Sequence, residues 1–362
     1  MGGTGSRELA DGTESPMRVS LGFEPAWYHR CCEVDFSERW HTDPVYRYEC
    51  LEKMKAELTK RFPMVDYWDN TNQEDLATVS GCYGIYVIPA VFGFSLRYAA
   101  DRWPLLEPGR HLSIDEVERL DAKTLIEGPF VEELFNQMEI IAAHWGKIHG
   151  YLHFQGVLNN AFHLRGQEIF LDMLERPELT HHFFGIICDV MIELACKVQA
   201  RQRQTGFAID FLTVSNCTVN MISPEMYREF VFPYDRKIAQ RFERFGVHTC
   251  NWNIDPYIDA FHELPRLGYL DMGMDSNLPR VKETFPDARR AVMYWPTKLV
   301  DAPLSEIQED MAKVYRELAP CDVAMADMQA ATPDARVIEF LDICRALASG
   351  GVTEESTSTK NV

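Results

Sequence analysis

The 362-residue chain has no uninterrupted apolar run of about 18 residues, so a membrane-spanning helix is not expected. Residues 1–10 contain no apolar core of the kind a secretory signal needs, which predicts a cytoplasmic protein. Cations are scarce: 36 Lys and Arg face 55 Asp and Glu, a net charge of −19. Nucleic acid is excluded on that ground, because phosphate neutralisation needs clustered cations. The ten cysteines include no C-x-x-C pair, and Cys31-Cys32 are adjacent, so neither a zinc ribbon nor a thioredoxin motif is present. In a chain without a signal they read as reduced thiols, most of them small buried hydrophobes. A glycine-rich phosphate turn is also missing, which removes the usual support for a nucleotide site.

What is present alternates between strand-like and helix-like segments. The central stretch runs from 206 to 253. It opens on an apolar run at 207–214, six to eight residues of the kind a strand buried on both faces shows. A polar turn follows, Ser215-Asn216-Cys217-Thr218, and then Ser223-Pro224-Glu225, a helix start with a hydroxyl cap and a proline in the first turn. Gly246 is read as the end of that helix, and Gly246-Val247-His248-Thr249-Cys250 as the next strand. Further strands are expected at 17–22, 84–93, 148–156, 269–275, 291–295 and 321–327, with helices between. Short links between alternating elements favour parallel pairing. The expected fold is therefore α/β, a (β/α)8 TIM barrel with an N-terminal helical extension. It occupies 17–350 as a single domain between disordered tails at 1–16 and 351–362. An open doubly wound sheet is the rival.

In such a barrel the chemistry sits at the carboxyl ends of the strands. Reading those ends gives Asn216 and Cys217, then His248, Cys250, Asn251 and Trp252, then Asp275, Tyr294, Trp295 and Asp327. No lysine or arginine is among them, which disfavours a polyanionic substrate. His248 and Cys250 lie two apart, so on a strand both side chains share one face and can reach one cation. His149 and His153, four apart on a strand, are separated by about 13 Å and do not make a ligand pair.

The Ser-Pro-Glu-Met-Tyr…Phe-Pro-Tyr helix at 223–234, the Gly-x-His-x-Cys strand and the Asn253-Ile254-Asp255-Pro256 turn resemble the uroporphyrinogen decarboxylase superfamily. They are closer to its cobalamin-dependent methyltransferase branch than to the decarboxylase. The resemblance covers roughly 17–348 and implies the barrel fold. It also implies zinc on His248 and Cys250, activating a methyl donor or acceptor. Members of that branch supply a third ligand, a cysteine just after the last strand. Here Ala326 stands near that place, which leaves Asp327 or Cys217 as the third ligand. The basic arm that binds the decarboxylase's substrate is reduced to Arg30 within 27–32, and packing at the barrel bottom is the alternative role for Trp27 and Tyr28.

The chain has no Asp-x-His-x-x-Gly run, so cobalamin would arrive on a partner, a separate corrinoid protein. The implied activity is methyl transfer from a small donor, a methoxylated aromatic among the candidates, to the cobalt of that partner. His248, Asp275, Tyr294 and Asp327 are the candidate catalytic residues. Asn216, Asn251, Trp252 and Trp295 are the candidate substrate-binding residues. A cofactor-independent decarboxylase of an organic acid and a non-catalytic ligand-binding barrel are the alternatives.

Overall fold

The structure, a computed structural model, describes residues 9–65 and 76–350. The disorder expected at 1–8 and 351–362 lies outside the described residues. Residues 9–16 form bends, one of them closed by Asp11 Oδ1 accepting from the Thr13 N–H at 3.0 Å.

Among the described residues nine strands follow in chain order: β1 Met17–Phe23, β2 Leu96–Ala99, β3 Arg102–Leu106, β4 Phe154–Gln155, β5 Phe211–Ser215, β6 Arg244–His248, β7 Leu267–Met272, β8 Arg289–Met293 and β9 Cys321–Met328. Seven of them form one sheet in the order β1-β9-β8-β7-β6-β5-β4, while β2 and β3 pair as an antiparallel hairpin. Every pairing in the large sheet is parallel. A further parallel stave lies beyond β4, where Thr78 bridges His149 and the Val79 N–H donates to the His149 carbonyl at 3.1 Å. Helices connect successive strands, as parallel pairing requires. The α/β class and its parallel alternation are thus as expected.

Two local expectations are overturned. The apolar run 84–93 is not a strand: Val87–Val91 is a short buried helix, and the stave sits earlier, at 77–79. A short run buried all round has no period that separates helix from strand. Gly246 does not end a helix either. The preceding helix stops at Arg241, and Gly246 lies inside β6. A Cβ there would stand 2.6 Å from Thr213 Oγ1 and 3.1 Å from Tyr269 Cβ, so glycine lets three strands close on one another. The helix of 224–241 also carries a π-helical turn, Tyr227–Val231, just before Pro233. Proline has no N–H to donate, and a wider turn absorbs the missing bond.

Strand alternation sorts the side chains into two layers. Val214, Val247, Leu270, Val292 and Val323 are fully buried in the large core between sheet and helices. Burial of such side chains stabilises by about 1.5–3 kcal/mol each. The opposite, inner face carries a small separate cluster, Ile209, Phe211, Tyr269 and Ala291. On that inner face, toward the carboxyl ends, apolar residues give way to Ser215, His248 and Asp271.

Candidate metal centre

His248 is the last residue of β6 and is directly opposite Ser215, the last residue of β5. The residue is 6% exposed. Nδ1 lies 2.6 Å from Asp271 Oδ2, and Nε2 lies 3.2 Å from Cys250 Sγ. Cys250 has a φ of +60°, a left-handed backbone that side chains other than Gly, Asn and Asp rarely adopt; strain of this kind concentrates at functional sites. Cys217 opens the 3-10 turn Cys217–Met221 directly after β5, and its Sγ stands 2.7 Å from Cys250 Sγ. The ligand atoms of Cys217, His248 and Cys250 all lie within 4.8 Å of one another.

Asp271 is fully buried and uses both oxygens. Oδ2 faces His248 Nδ1 and accepts from the Tyr269 hydroxyl at 2.9 Å, while Oδ1 accepts from the Thr249 N–H at 2.7 Å. The carboxylate thus fixes the imidazole's orientation and leaves Nε2 facing the thiols, an arrangement recurrent among metal-binding histidines.

Burial alone would push His248 down. The charge and hydrogen bond of Asp271, with Cys217 after them, carry it well above its ordinary value. The two thiols share one proton. Cys217 is lowered to about 5, first by the hydrogen bond with Cys250 and then, against burial, by His248. Cys250 is raised by the same bond, by burial and by the charge on Cys217. The raised imidazole and the lowered Cys217 thiol favour an imidazolium beside a thiolate.

The donor set fits zinc, which prefers sulfur and nitrogen ligands in a tetrahedron. Tetrahedral zinc places two thiolate sulfurs about 3.7 Å apart, so the pair needs to part by about an ångström to receive it.

The other expected residues divide. Asn216 is fully buried and faces the helix layer, donating from Nδ2 to Asp235 Oδ2 at 2.7 Å. This corrects the expectation that it binds substrate: in β5 the inner positions are Phe211, Thr213 and Ser215, so Asn216 falls on the outer face. Tyr294 is likewise outside the mouth. Its hydroxyl donates to Asp310 Oδ2 at 2.7 Å and its ring stacks on Phe340, among the helices that cover β8 and β9. As a catalytic residue it too is a correction, and for the same reason of strand parity.

Asn251, Asp275 and Asp327 are exposed, and Trp252 and Trp295 half-buried. Trp252 packs edge-on against Tyr257, with its indole N–H buried and unpartnered. Asp327 sits at an irregularity where β9 carries one residue more than β1, with a φ of +58°. It does not join the metal-ligating cluster, which takes Cys217 in its place. Glu24, at the end of β1, is raised by burial and then by Asp327 beside it. Trp27 and Tyr28 are not at the barrel bottom: their helix, Pro25–Cys32, follows the carboxyl end of β1, where Trp27 packs on Phe23 at 4.2 Å.

The sequence expectations do not include Asp271, nor the place of His153 beside Ser215. Asp271 had a signal, a lone carboxylate inside an apolar strand, which must find partners when buried. His153 Nε2 stands 2.9 Å from Ser215 Oγ, and only the pairing of β4 with β5 brings them together.

A parallel sheet with a Cys-His-Cys cluster and a buried carboxylate at its carboxyl edge defines an α/β protein with a candidate soft-metal site. Residues 75–293 match the family model described as Uroporphyrinogen decarboxylase (URO-D), more than half of the chain. The chain belongs to the uroporphyrinogen decarboxylase family. A stretch of 68 residues is 40% identical to the uroporphyrinogen decarboxylase of Xanthomonas euvesicatoria pv. vesicatoria (strain 85-10), spanning 19% of this chain and 18% of that protein. The match thus covers under a fifth of that curated relative. Among solved structures, a methyltransferase from Methanosarcina mazei superposes with a TM-score of 0.66 at 14% identity, over 92% of this chain and 94% of that one. A B12-independent methionine synthase from Shewanella sp. W3-18-1, in complex with selenomethionine, gives a TM-score of 0.45 at 9% identity, over 94% and 98% of the two chains. The first of these shares the fold; the second is too distant to add to it. No helix among the described residues is long and apolar enough to cross a membrane.

Proposed function

We propose that this chain is a methyltransferase, acting as one barrel domain over 17–350. It would pass a methyl group from a small donor, such as a methoxylated aromatic, to the cobalt of a separate corrinoid protein. The observation that carries this reading is the Cys217–His248–Cys250 cluster, with its imidazole anchored by buried Asp271. Those residues would hold zinc, and Asp271 would keep His248 in the ligating tautomer. When bound, zinc supplies a Lewis acid that stabilises an oxygen or sulfur of the substrate as an anion.

The chain's own groups do the rest. Asp327, exposed at the end of β9, is the candidate acid for an oxygen whose methyl leaves. Asp275, exposed after β7, is a second carboxylate on the rim. Trp252 and Trp295 are half-buried and offer flat apolar walls, and Asn251 offers an amide. Asn277 and Gln329 are exposed on the same rim, where a second protein would dock.

The test incubates the purified chain with a donor carrying an isotopically labelled methoxyl group, with and without a reduced corrinoid protein. Label transfer only in the partner's presence is expected, together with zinc near one per chain. The short identity to a decarboxylase favours one rival reading, loss of carbon dioxide from an organic acid. Carbon dioxide release without any partner would establish that rival instead.

A further inference from the structure

We propose that Asn159 is a positioning residue for the metal centre, holding Cys217 beside Cys250 through the backbone of Thr218. This deepens the reading of Cys217, His248 and Cys250 as a metal site and rests on it. Cys217 is the one member of the cluster that does not follow from the β6 strand. It opens a 3-10 turn, and the first N–H groups of such a turn have no partner within it. The neighbours of Cys217 on both sides are nevertheless tied. The Asn216 N–H donates to the carbonyl of His248 at 2.7 Å, a backbone bond that any sequence can make. The Thr218 N–H donates to Asn159 Oδ1 at 2.9 Å, a bond only certain side chains can make.

Asn159 comes from the helix Val157–Arg165 and is 3% exposed. Its other end is committed as well: Nδ2 donates to Gln155 Oε1 at 2.6 Å. Gln155 is itself buried, with Nε2 3.1 Å from His153 Nε2, and that nitrogen meets Ser215 Oγ. Each amide therefore has its orientation set by the next group. The chain of bonds runs from the end of β4 to the turn that carries Cys217. Gly156 admits the approach of the two segments, because a Cβ there would fall 1.9 Å from Asn216 Oδ1. Asn159→Ala would leave the Thr218 N–H without its acceptor and free the turn to carry Cys217 away from Cys250. Asn159→Asp would keep an acceptor toward Thr218 but lose the donor to Gln155 Oε1, a contact restored when the Gln155 amide turns over and its Nε2 donates to the carboxylate.

The experiment uses the full chain as wild type, Asn159→Ala and Asn159→Asp, with circular dichroism and melting to show that each is folded. Zinc affinity is read by competition with a chromogenic chelator, and thiolate ligation by the charge-transfer absorbance of the cobalt(II)-substituted protein. Asn159→Ala should bind zinc roughly ten- to hundredfold more weakly and lose about half the thiolate-to-cobalt absorbance. Asn159→Asp should stay near wild type in both.

A second measurement needs no metal. Hydrogen peroxide oxidises two thiols to a disulfide, the two thiol protons leaving with the peroxide oxygens as two waters. Peptide mapping should show the Cys217–Cys250 bond forming faster in the metal-free wild type than in Asn159→Ala. Equal zinc affinity, equal absorbance and equal closure in Asn159→Ala and wild type would overturn the proposal. A wild type that takes no zinc, but still closes faster than Asn159→Ala, would overturn the metal reading and uphold the positioning role.

Discussion

Asn216 and Cys217 are neighbours in sequence and belong to two different buried polar clusters. The inner cluster joins Cys217 and Cys250 to His248 and ends on Asp271. The outer one joins Asn216 to Asp235, which also accepts from the Tyr227 hydroxyl at 2.9 Å. Each cluster rests on a carboxylate with no solvent exposure. Asp271 has donors on both oxygens, whereas Asp235 receives both of its bonds on Oδ2 and leaves Oδ1 unpartnered. Burial accordingly pushes Asp235 up to about 7, against the hydrogen bonds from Tyr227 and Asn216 that favour its charge. Depth alone therefore does not make a carboxylate functional. The two differ in the number and kind of their partners: Asp271 orients an imidazole and is held by a backbone N–H and a hydroxyl, whereas Asp235 meets one amide and one hydroxyl on a single oxygen.

The sharpest test of that contrast removes an inner ligand. Cys250→Ser should lose zinc altogether and, with it, label transfer, measured by metal analysis and the donor assay. Full metal content in that variant would break the inner cluster's assignment.

A smaller effect is expected one step back. Asp271→Asn keeps an oxygen for Tyr269 or Thr249 but not the charge facing His248. Zinc affinity should fall by about ten- to hundredfold, measured by the same chelator competition. An unchanged affinity would place Asp271 with Asp235, as packing.

On the outer side, Gly156→Ala inserts a methyl 1.9 Å from Asn216 Oδ1. Overpacking of this kind costs about 1–3 kcal/mol, to be read as a lowered urea midpoint. The backbone around Gly156 would have to shift, and metal affinity should fall with stability through Asn216.

The gentlest test is the pH dependence of stability. Asp235 holds its proton in the folded state up to about 7, while an unfolded aspartate releases it near about 3.9. Between those values the folded chain binds more protons than the unfolded chain, so stability falls as pH rises. The contribution is fully favourable below the lower value and lost above about 7. Asp235→Asn should remove this slope, so that the variant gains on the wild type as pH rises from 4 toward 8, a range set by those two limits. Parallel urea-midpoint profiles for the two proteins would show that the outer carboxylate stays charged.

Much of this molecule is legible in one dimension because a strand's period and a helix's caps are local. The run 207–214, the Ser223-Pro224-Glu225 start and the His-x-Cys spacing all declare themselves, and β5, the 224–241 helix and β6 lie close to where they point. The fold class follows from the same alternation. What strand alternation adds depends on where each strand ends, and one residue's error there exchanges the two faces. Asn216 and Tyr294 lie on the outer face for that reason, not on the inner one where the expected strand ends put them.

Local sequence therefore determined the α/β alternation and the helix starts, whereas the expected strand through Cys250 stops at His248, and Cys250 reaches the imidazole through a left-handed turn instead of strand alternation. Only the tertiary structure decided between Asp327 and Cys217 as the third member of the cluster. It also brought Asp271 behind His248 and Asn159 onto the Thr218 backbone. Those contacts join residues 23 to 59 positions apart, and such distances close only when parallel strands register side by side.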